Sequence, residues 1–219
     1  MKVLVTGSSS GIGLACAKKY LSLGHEVIGF DLKQSMIDDP KYHHYVLDIQ
    51  ELDKLPDISG INILFNNAGK QNSKDDISNN LKGTINITEK YGFNPEIKSI
   101  LFNASASSQS GDEFPQYVAS KAGIVGYMKN VAIRLASRGV TVNSISLGGV
   151  LTESNKEVTS DKELWDKVME VTPMKKWMDE DEVVDWVMFL TLTNKSMSGQ
   201  DLLIDNGEAG LDQKFVWPK

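Results

Sequence analysis

Cysteine is almost missing from this chain: Cys16 stands alone among 219 residues. A single thiol excludes an intrachain disulfide, so a stapled secreted scaffold is ruled out and a reducing cytoplasm is the expected compartment. Positive charge is also short. There are 23 Lys and Arg against 29 Asp and Glu, a formal net charge of −6. A nucleic-acid partner, which calls for a basic face, is not expected. No apolar run reaches the roughly 20 residues of a membrane span, so no membrane partner is expected either. Residues 1–13 lack the architecture of a signal peptide. No linker rich in proline, glycine or serine divides the chain, and no internal repeat is visible. The expectation is a single domain over residues 1–219, long enough to bury roughly 70% of its unfolded surface.

What is present is an alternation. Apolar strand-like runs lie at 3–5, 26–30, 45–47, 61–65, 98–102, 140–145 and 202–204. Helical spacing marks 12–23, 80–90, 117–137, 162–171 and 181–192. Strands alternating with helices predict an α/β fold, a Rossmann-like doubly wound parallel sheet of about seven strands with helices on both faces. The near-continuous apolar character of the runs fits strands covered on both sides. The least regular part, 151–178, falls between the sixth strand and the last long helix and is the expected substrate lid.

Straight after the first strand comes Thr6-Gly7-Ser8-Ser9-Ser10-Gly11-Ile12-Gly13, which also opens the first helix. In that context Gly7 permits a tight turn, Gly11 lets backbone approach a diphosphate, and Gly13 lets helix and sheet close up. The diphosphate would meet free N–H groups at a helix N-terminus. No Gly-Lys-Ser/Thr ending follows, so a P-loop is excluded. Asp31 lies 18 residues beyond Gly13 at the end of the second strand. A carboxylate there accepts from adenosine ribose hydroxyls and repels a 2′-phosphate. Ser10 and Leu32 are neutral where a phosphate reader would be basic. NAD is therefore expected over NADP.

Tyr117 and Lys121 are four residues apart on a strong helix, so they share a face. A nearby ammonium favours phenolate and lowers a phenol from its usual pKa of about 10, which suits general acid–base work. The fifth strand runs into Ser105, Ser107 and Ser108, hydroxyls expected at the crevice. Other residues read as structural. His43 and His44 are adjacent, point apart on a strand and lack carboxylates at ligand spacing, so no metal site is expected. Cys16 is expected in the core, Trp177 and Trp186 against a helix start, and Asp179 to Glu182 at a helix N-terminus.

Taken together, these residues resemble the short-chain dehydrogenase/reductase family in its short single-domain form. The resemblance rests on Thr6-Gly7, Gly11 and Gly13, on Asn66-Asn67-Ala68-Gly69, on Asn80, on Tyr117 with Lys121, on Val142-Asn143-Ser144-Ile145, and on the ending 198–207. It implies an NAD(H)-dependent oxidoreductase moving a hydride between nicotinamide and a secondary alcohol or ketone. Tyr117 would be the general acid/base, Lys121 would bind the nicotinamide ribose and tune the phenol, and Ser105 would hold the substrate oxygen. Asn80 would hold a relay water through its backbone. The cofactor would be held by Gly7, Ser9, Ser10, Gly11, Ile12, Gly13 and Asp31, by Asp48 and Ile49 at adenine, and by Asn66, Ala68 and Gly69 on the adenosine-ribose side. Val150 and Thr152 would hold the carboxamide, beside Tyr117 and Lys121. A homo-oligomer, tetramer or dimer, is implied, with Trp217 in the tail reaching a neighbouring subunit.

Three departures stand out. Only ten residues separate Gly69 from Asn80, where the family has a helix. Leu147 stands where a proline usually precedes the cofactor-loop glycine. Ser105 is one residue closer to Tyr117 than usual, with Ser107 as the alternative. These leave a second function open, an NAD-binding protein with little catalysis that serves as a sensor or interaction module.

Overall fold

Short apolar runs become strands, buried on both faces in the middle of the sheet and partly exposed at its edges. In the computed structural model, which describes residues 1–211, they are β1 (Lys2–Thr6), β2 (Glu26–Asp31), β3 (Tyr42–Val46), β4 (Ile63–Asn66), β5 (Ser99–Asn103), β6 (Thr141–Leu147) and β7 (Asp201–Ile204). All pair in parallel, in the order β3-β2-β1-β4-β5-β6-β7. The expected doubly wound sheet is the observed one. Trp217 and the rest of the tail lie outside the described residues.

Side chains of β1 show how the layers are held. Val3 and Val5 join a core with Cys16, Ala17 and Tyr20 of α1 (Gly11–Ser22) and with Val183, Val184 and Val187 of α7 (Glu180–Met188). Leu4, between them, points the other way. It packs with Ile87 and Tyr91 of α2 (Gly83–Tyr91) and with Ile124, Met128 and Val131 of α4 (Pro115–Leu135). The chain runs outward from β1 through β2 to β3, then crosses back over β1 to start the other half of the sheet at β4, so the winding reverses between β1 and β4. This opens a crevice beyond the C-terminal ends of those strands.

Several elements differ from expectation. β3 occupies 42–46 rather than 45–47, because an edge strand keeps polar residues such as His43 and His44 that an apolar pattern overlooks. The helix expected at 80–90 starts earlier, as a π turn over Ile77–Lys82 that runs into α2. The helix expected at 181–192 likewise ends in a π turn over Phe189–Thr193. Its start carries a full capping box: Asp179 accepts from the Glu182 amide, and the Glu182 side chain accepts from the Asp179 amide. Trp186, expected to pack, is 41% exposed and meets Phe189 edge to face. Between β6 and α7 lie α5 (Lys156–Ser160) and α6 (Lys162–Val171), neither with a buried side chain. A short helix, α3 (Ser107–Ser110), precedes α4. No helix of the described residues is long and apolar enough to cross a membrane.

Candidate active site

The glycine turn fronts the crevice. Gly7 (φ +70°) and Gly11 (φ +51°) adopt left-handed backbone that glycine takes freely. Gly13 is required for closeness: a Cβ there would lie 2.0 Å from the Gly7 carbonyl oxygen. No side chain caps the first turn of α1, and no acidic residue lies in it. Its N–H groups and positive dipole end are thus available to an anion.

A cavity of about 410 Å³ opens in front of this turn. Gly7, Ser10, Gly11 and Ile12 form one wall. Asp31, Asp48 and Ile49 border the second, and Ala68, Gly69 and Thr152 close it. Asp31 is locked in place, its Oδ2 accepting from the Ser9 amide and its Oδ1 from the Lys33 amide, both at 2.9 Å. Each oxygen keeps a further lone pair. An N–H-rich turn beside a fixed carboxylate fits the diphosphate and ribose of a dinucleotide.

Some expected residues sit elsewhere. Asn66 is buried, its side chain donates to Thr88 Oγ1 at 3.0 Å, and Asn67 lines the cavity. Successive residues of a strand point to opposite faces, and the motif does not say which asparagine faces out. Gly13 lies behind the turn rather than on the wall. Ser9 acts from outside the wall, through its amide on Asp31. Val150 is buried in the core beside Met178.

One part of this end had no motif to announce it. The Tyr42 hydroxyl lies 3.0 Å from Ser8 Oγ and 3.1 Å from His44 Nδ1. His44 Nε2 lies 2.8 Å from the Lys33 carbonyl. A carbonyl only accepts, so Nε2 carries the hydrogen. β3 is thereby tied both to the glycine turn and to the loop holding Asp31.

At the other end, α4 opens with Pro115, whose fixed φ suits a first helical position. It presents Tyr117 and Lys121 one turn apart. The Lys121 ammonium is buried, donates to the Asn103 carbonyl at 2.9 Å, and lies 5.6 Å from the centre of the Tyr117 ring. Ser105 and Ser107 are both buried. Ser107 Oγ donates to Ser105 Oγ at 3.0 Å, and Ser105 pulls the Tyr117 phenol down in pKa. Asn80 is wholly buried in the π turn. Its Oδ1 accepts from the Lys70 amide (2.7 Å), and its Nδ2 donates to the Lys70 carbonyl (2.8 Å) and to Ser120 Oγ (3.0 Å). Asn80 thus pins the shortened 70–79 segment against α4. The Asn80 carbonyl accepts from Gly83 N–H.

Electrostatics here reverse one expectation. The phenol of Tyr117 is pushed up to about 12, first by burial and then by the carboxylates of Glu113 and Asp76, with Ser105 pulling the other way. Burial also brings Lys121 down to about 8, against the same two carboxylates. Lys121 was expected to lower the phenol; burial raises it instead.

Comparisons with known proteins agree with this geometry. A family model described as enoyl-(acyl carrier protein) reductase matches residues 52–208, well over half of the chain. The chain belongs to the short-chain dehydrogenase/reductase family. A 3-oxoacyl-(acyl-carrier-protein) reductase FabG of Buchnera aphidicola subsp. Acyrthosiphon pisum is 29% identical, covering 93% of this chain and 95% of its own. A 4-hydroxyisoleucine dehydrogenase complexed with NADH superposes with a TM-score of 0.84 at 24% identity, covering 96% of this chain and 99% of that one. A putative 2-deoxy-D-gluconate 3-dehydrogenase from Agrobacterium tumefaciens with bound NADP gives 0.83 at 24%, covering 94% and 95%. As a short-chain dehydrogenase/reductase, the protein is an NAD(P)-dependent oxidoreductase, and its reaction is hydride transfer. The alternative of a binding module with little catalysis is not favoured.

Proposed function

We propose that this short-chain dehydrogenase/reductase interconverts a secondary alcohol and a ketone, with NAD preferred over NADP. What supports this reading is the pairing of Lys121 with the Tyr117 ring, 5.6 Å apart and beside the Gly69 that borders the glycine-walled cleft, together with the fixed carboxylate of Asp31 on that cleft. Asp31 would accept both adenosine ribose hydroxyls and repel an added phosphate. The turn from Gly7 to Gly13 would hold the diphosphate, Asp48 and Ile49 the adenine, and Thr152 with the Val150 backbone the carboxamide. When bound, NAD supplies the hydride acceptor, and NADH the hydride.

The protein's own part is to place and move a proton. In reduction, the neutral Tyr117 phenol gives its proton to the substrate oxygen as that oxygen gains charge, while Ser105 donates a hydrogen bond to the same atom. In oxidation the phenolate takes the alcohol proton. Lys121 supplies positive charge beneath the phenol and a donor for the nicotinamide ribose. The Asn80 carbonyl would hold a water that refills the proton. Residues 151–178 would form the lid that excludes bulk water. The working protein would be a cytoplasmic homo-oligomer.

Replacing the phenol tests the reading. Tyr117→Phe keeps the ring and removes the proton carrier. Turnover of any alcohol or ketone found by screening should fall about 100- to 10,000-fold, with NAD affinity unchanged in a binding titration. Equal rates in the two proteins would overturn it.

A further inference from the structure

Glu113 stands four residues before Tyr117, just ahead of α4. Its backbone has φ +85°, left-handed territory that a glutamate seldom enters. Backbone held in such a state gathers at functional sites, where the surroundings enforce it. Gln71 Nε2 donates to Glu113 Oε2 at 2.7 Å, joining the shortened 70–79 segment to the loop before α4.

The carboxylates around the reaction end differ in what they have left to offer. Asp76 is buried and accepts both the amide and the hydroxyl of Ser73. Glu208 is committed to the lid side, accepting from Trp177 Nε1 and Thr172 Oγ1 at 2.8 Å each and from the Gly149 amide at 3.3 Å. Glu113 is exposed, and among the described residues its Oε1 has no hydrogen-bond partner and no lysine or arginine pairs with it. Lys121, the cation it faces, is engaged with Asn103. The Glu113 charge reaches both Tyr117 and Lys121.

We propose that Glu113 is a specificity-determining residue that binds the ammonium group of an amine-bearing ketone or alcohol while Tyr117 and Ser105 hold its oxygen. This rests on the proton-transfer reading of Tyr117 given above. An ammonium bonds the free Oε1 without displacing Gln71, and a charge-assisted bond of that kind is among the strong ones. A carboxylate-bearing substrate meets the Glu113 charge as repulsion. An apolar end group strips water from the carboxylate and returns nothing.

The test is a set of ketones of one length whose far end is an amine, a hydroxyl, a methyl or a carboxylate. Reduction by NADH gives kcat/KM for each, and calorimetry gives the binding of the matching alcohols to the protein with NADH. In wild type the amine should lead the methyl compound roughly 10- to 100-fold, the worth of one charged hydrogen bond, with the carboxylate last. Glu113→Gln should bring amine and hydroxyl compounds together. It should also move the alkaline limb of the pH–rate profile to lower pH, because Glu113 raises both Tyr117 and Lys121. A purely structural contact would leave that limb in place. Glu113→Gly, which removes the charge and relaxes the backbone, should repeat the result should the glutamine variant fold poorly. A ranking led by the hydroxyl, methyl or carboxylate compound, or one that survives both variants, overturns the proposal. If no ketone is turned over but the amine still binds best, the charge selection stands and the dehydrogenase reading falls.

Discussion

A phenol enclosed by protein and faced by two carboxylates holds its proton. With Tyr117 at about 12, nearly every molecule carries the neutral phenol at pH 7, the form that donates to a ketone. Lys121 is the group that titrates nearer neutrality, at about 8. Its charged form is the one lost as pH rises, so ketone reduction should be level below about pH 7 and decline through pH 8. Oxidation, which needs phenolate, should instead climb with pH. Profiles of both directions check this, and a reduction rate still level at pH 10 would show that Lys121 does not tune the reaction. Asp31 sets a second residue-scale expectation. Both its oxygens are fixed by backbone amides, so its charge cannot swing away from a 2′-phosphate. Wild type should bind NAD more tightly than NADP, and Asp31→Ala with Leu32→Arg should invert the order in a titration. A wild-type preference for NADP would refute that reading of the second strand end.

Elements explain which parts of the site were readable beforehand. The turn after β1 was legible because its glycines are demanded by geometry: Gly13 has no room for a Cβ, and Gly7 and Gly11 need positive φ. Gly13→Ala should therefore cost about 1–3 kcal/mol of stability, the usual penalty for overpacking, and weaken NAD binding by prying α1 from the turn. A thermal melt and a titration read both, and an unchanged melting temperature would show that the helix yields freely. Tyr117 and Lys121 were legible through the helical repeat. What escaped notice lacks any repeat. β3 is an edge strand whose Tyr42 and His44 serve the cofactor loop through hydrogen bonds, invisible to an apolar pattern. Asn66 and Asn67 are adjacent, and only the pleat decides which one faces the cleft. The pull on Tyr117 was misjudged in sign because spacing reports Lys121 but not the water removed around the ring. Glu113 lies close to Tyr117 in sequence, but its tie to the shortened segment, through Gln71 across 42 residues of chain, follows no repeat.

At the scale of the whole molecule, α4 is the element whose outward face looks unfinished. Its inner face packs Ile124, Met128 and Val131 onto the sheet. Its outer face exposes Ala119, Ala122 and Gly126, spaced three and four residues apart and so aligned on one side, with Ile133 further along and 77% exposed. A mid-helix glycine costs up to about 1 kcal/mol relative to alanine. At Gly126 nothing lies within 4 Å of where a Cβ would stand, so packing within the chain does not require the glycine. Close approach of a second helix does, and two-fold pairing places the same face on both partners. The expected state is a dimer, or a tetramer containing that dimer, with α4 against its copy. Light scattering at micromolar concentration should give at least twice the 24.2 kDa of one chain. Gly126→Gln, which puts a long side chain on that face, should return the protein to one chain's mass without loss of NAD binding, because Tyr117 and Lys121 lie on the inner side of the same helix. A wild-type protein that scatters as a monomer would leave the small outer face of α4 without this explanation. An oligomer untouched by Gly126→Gln would move the interface elsewhere, toward the exposed Trp186 and Phe189 at the C-terminal end of α7.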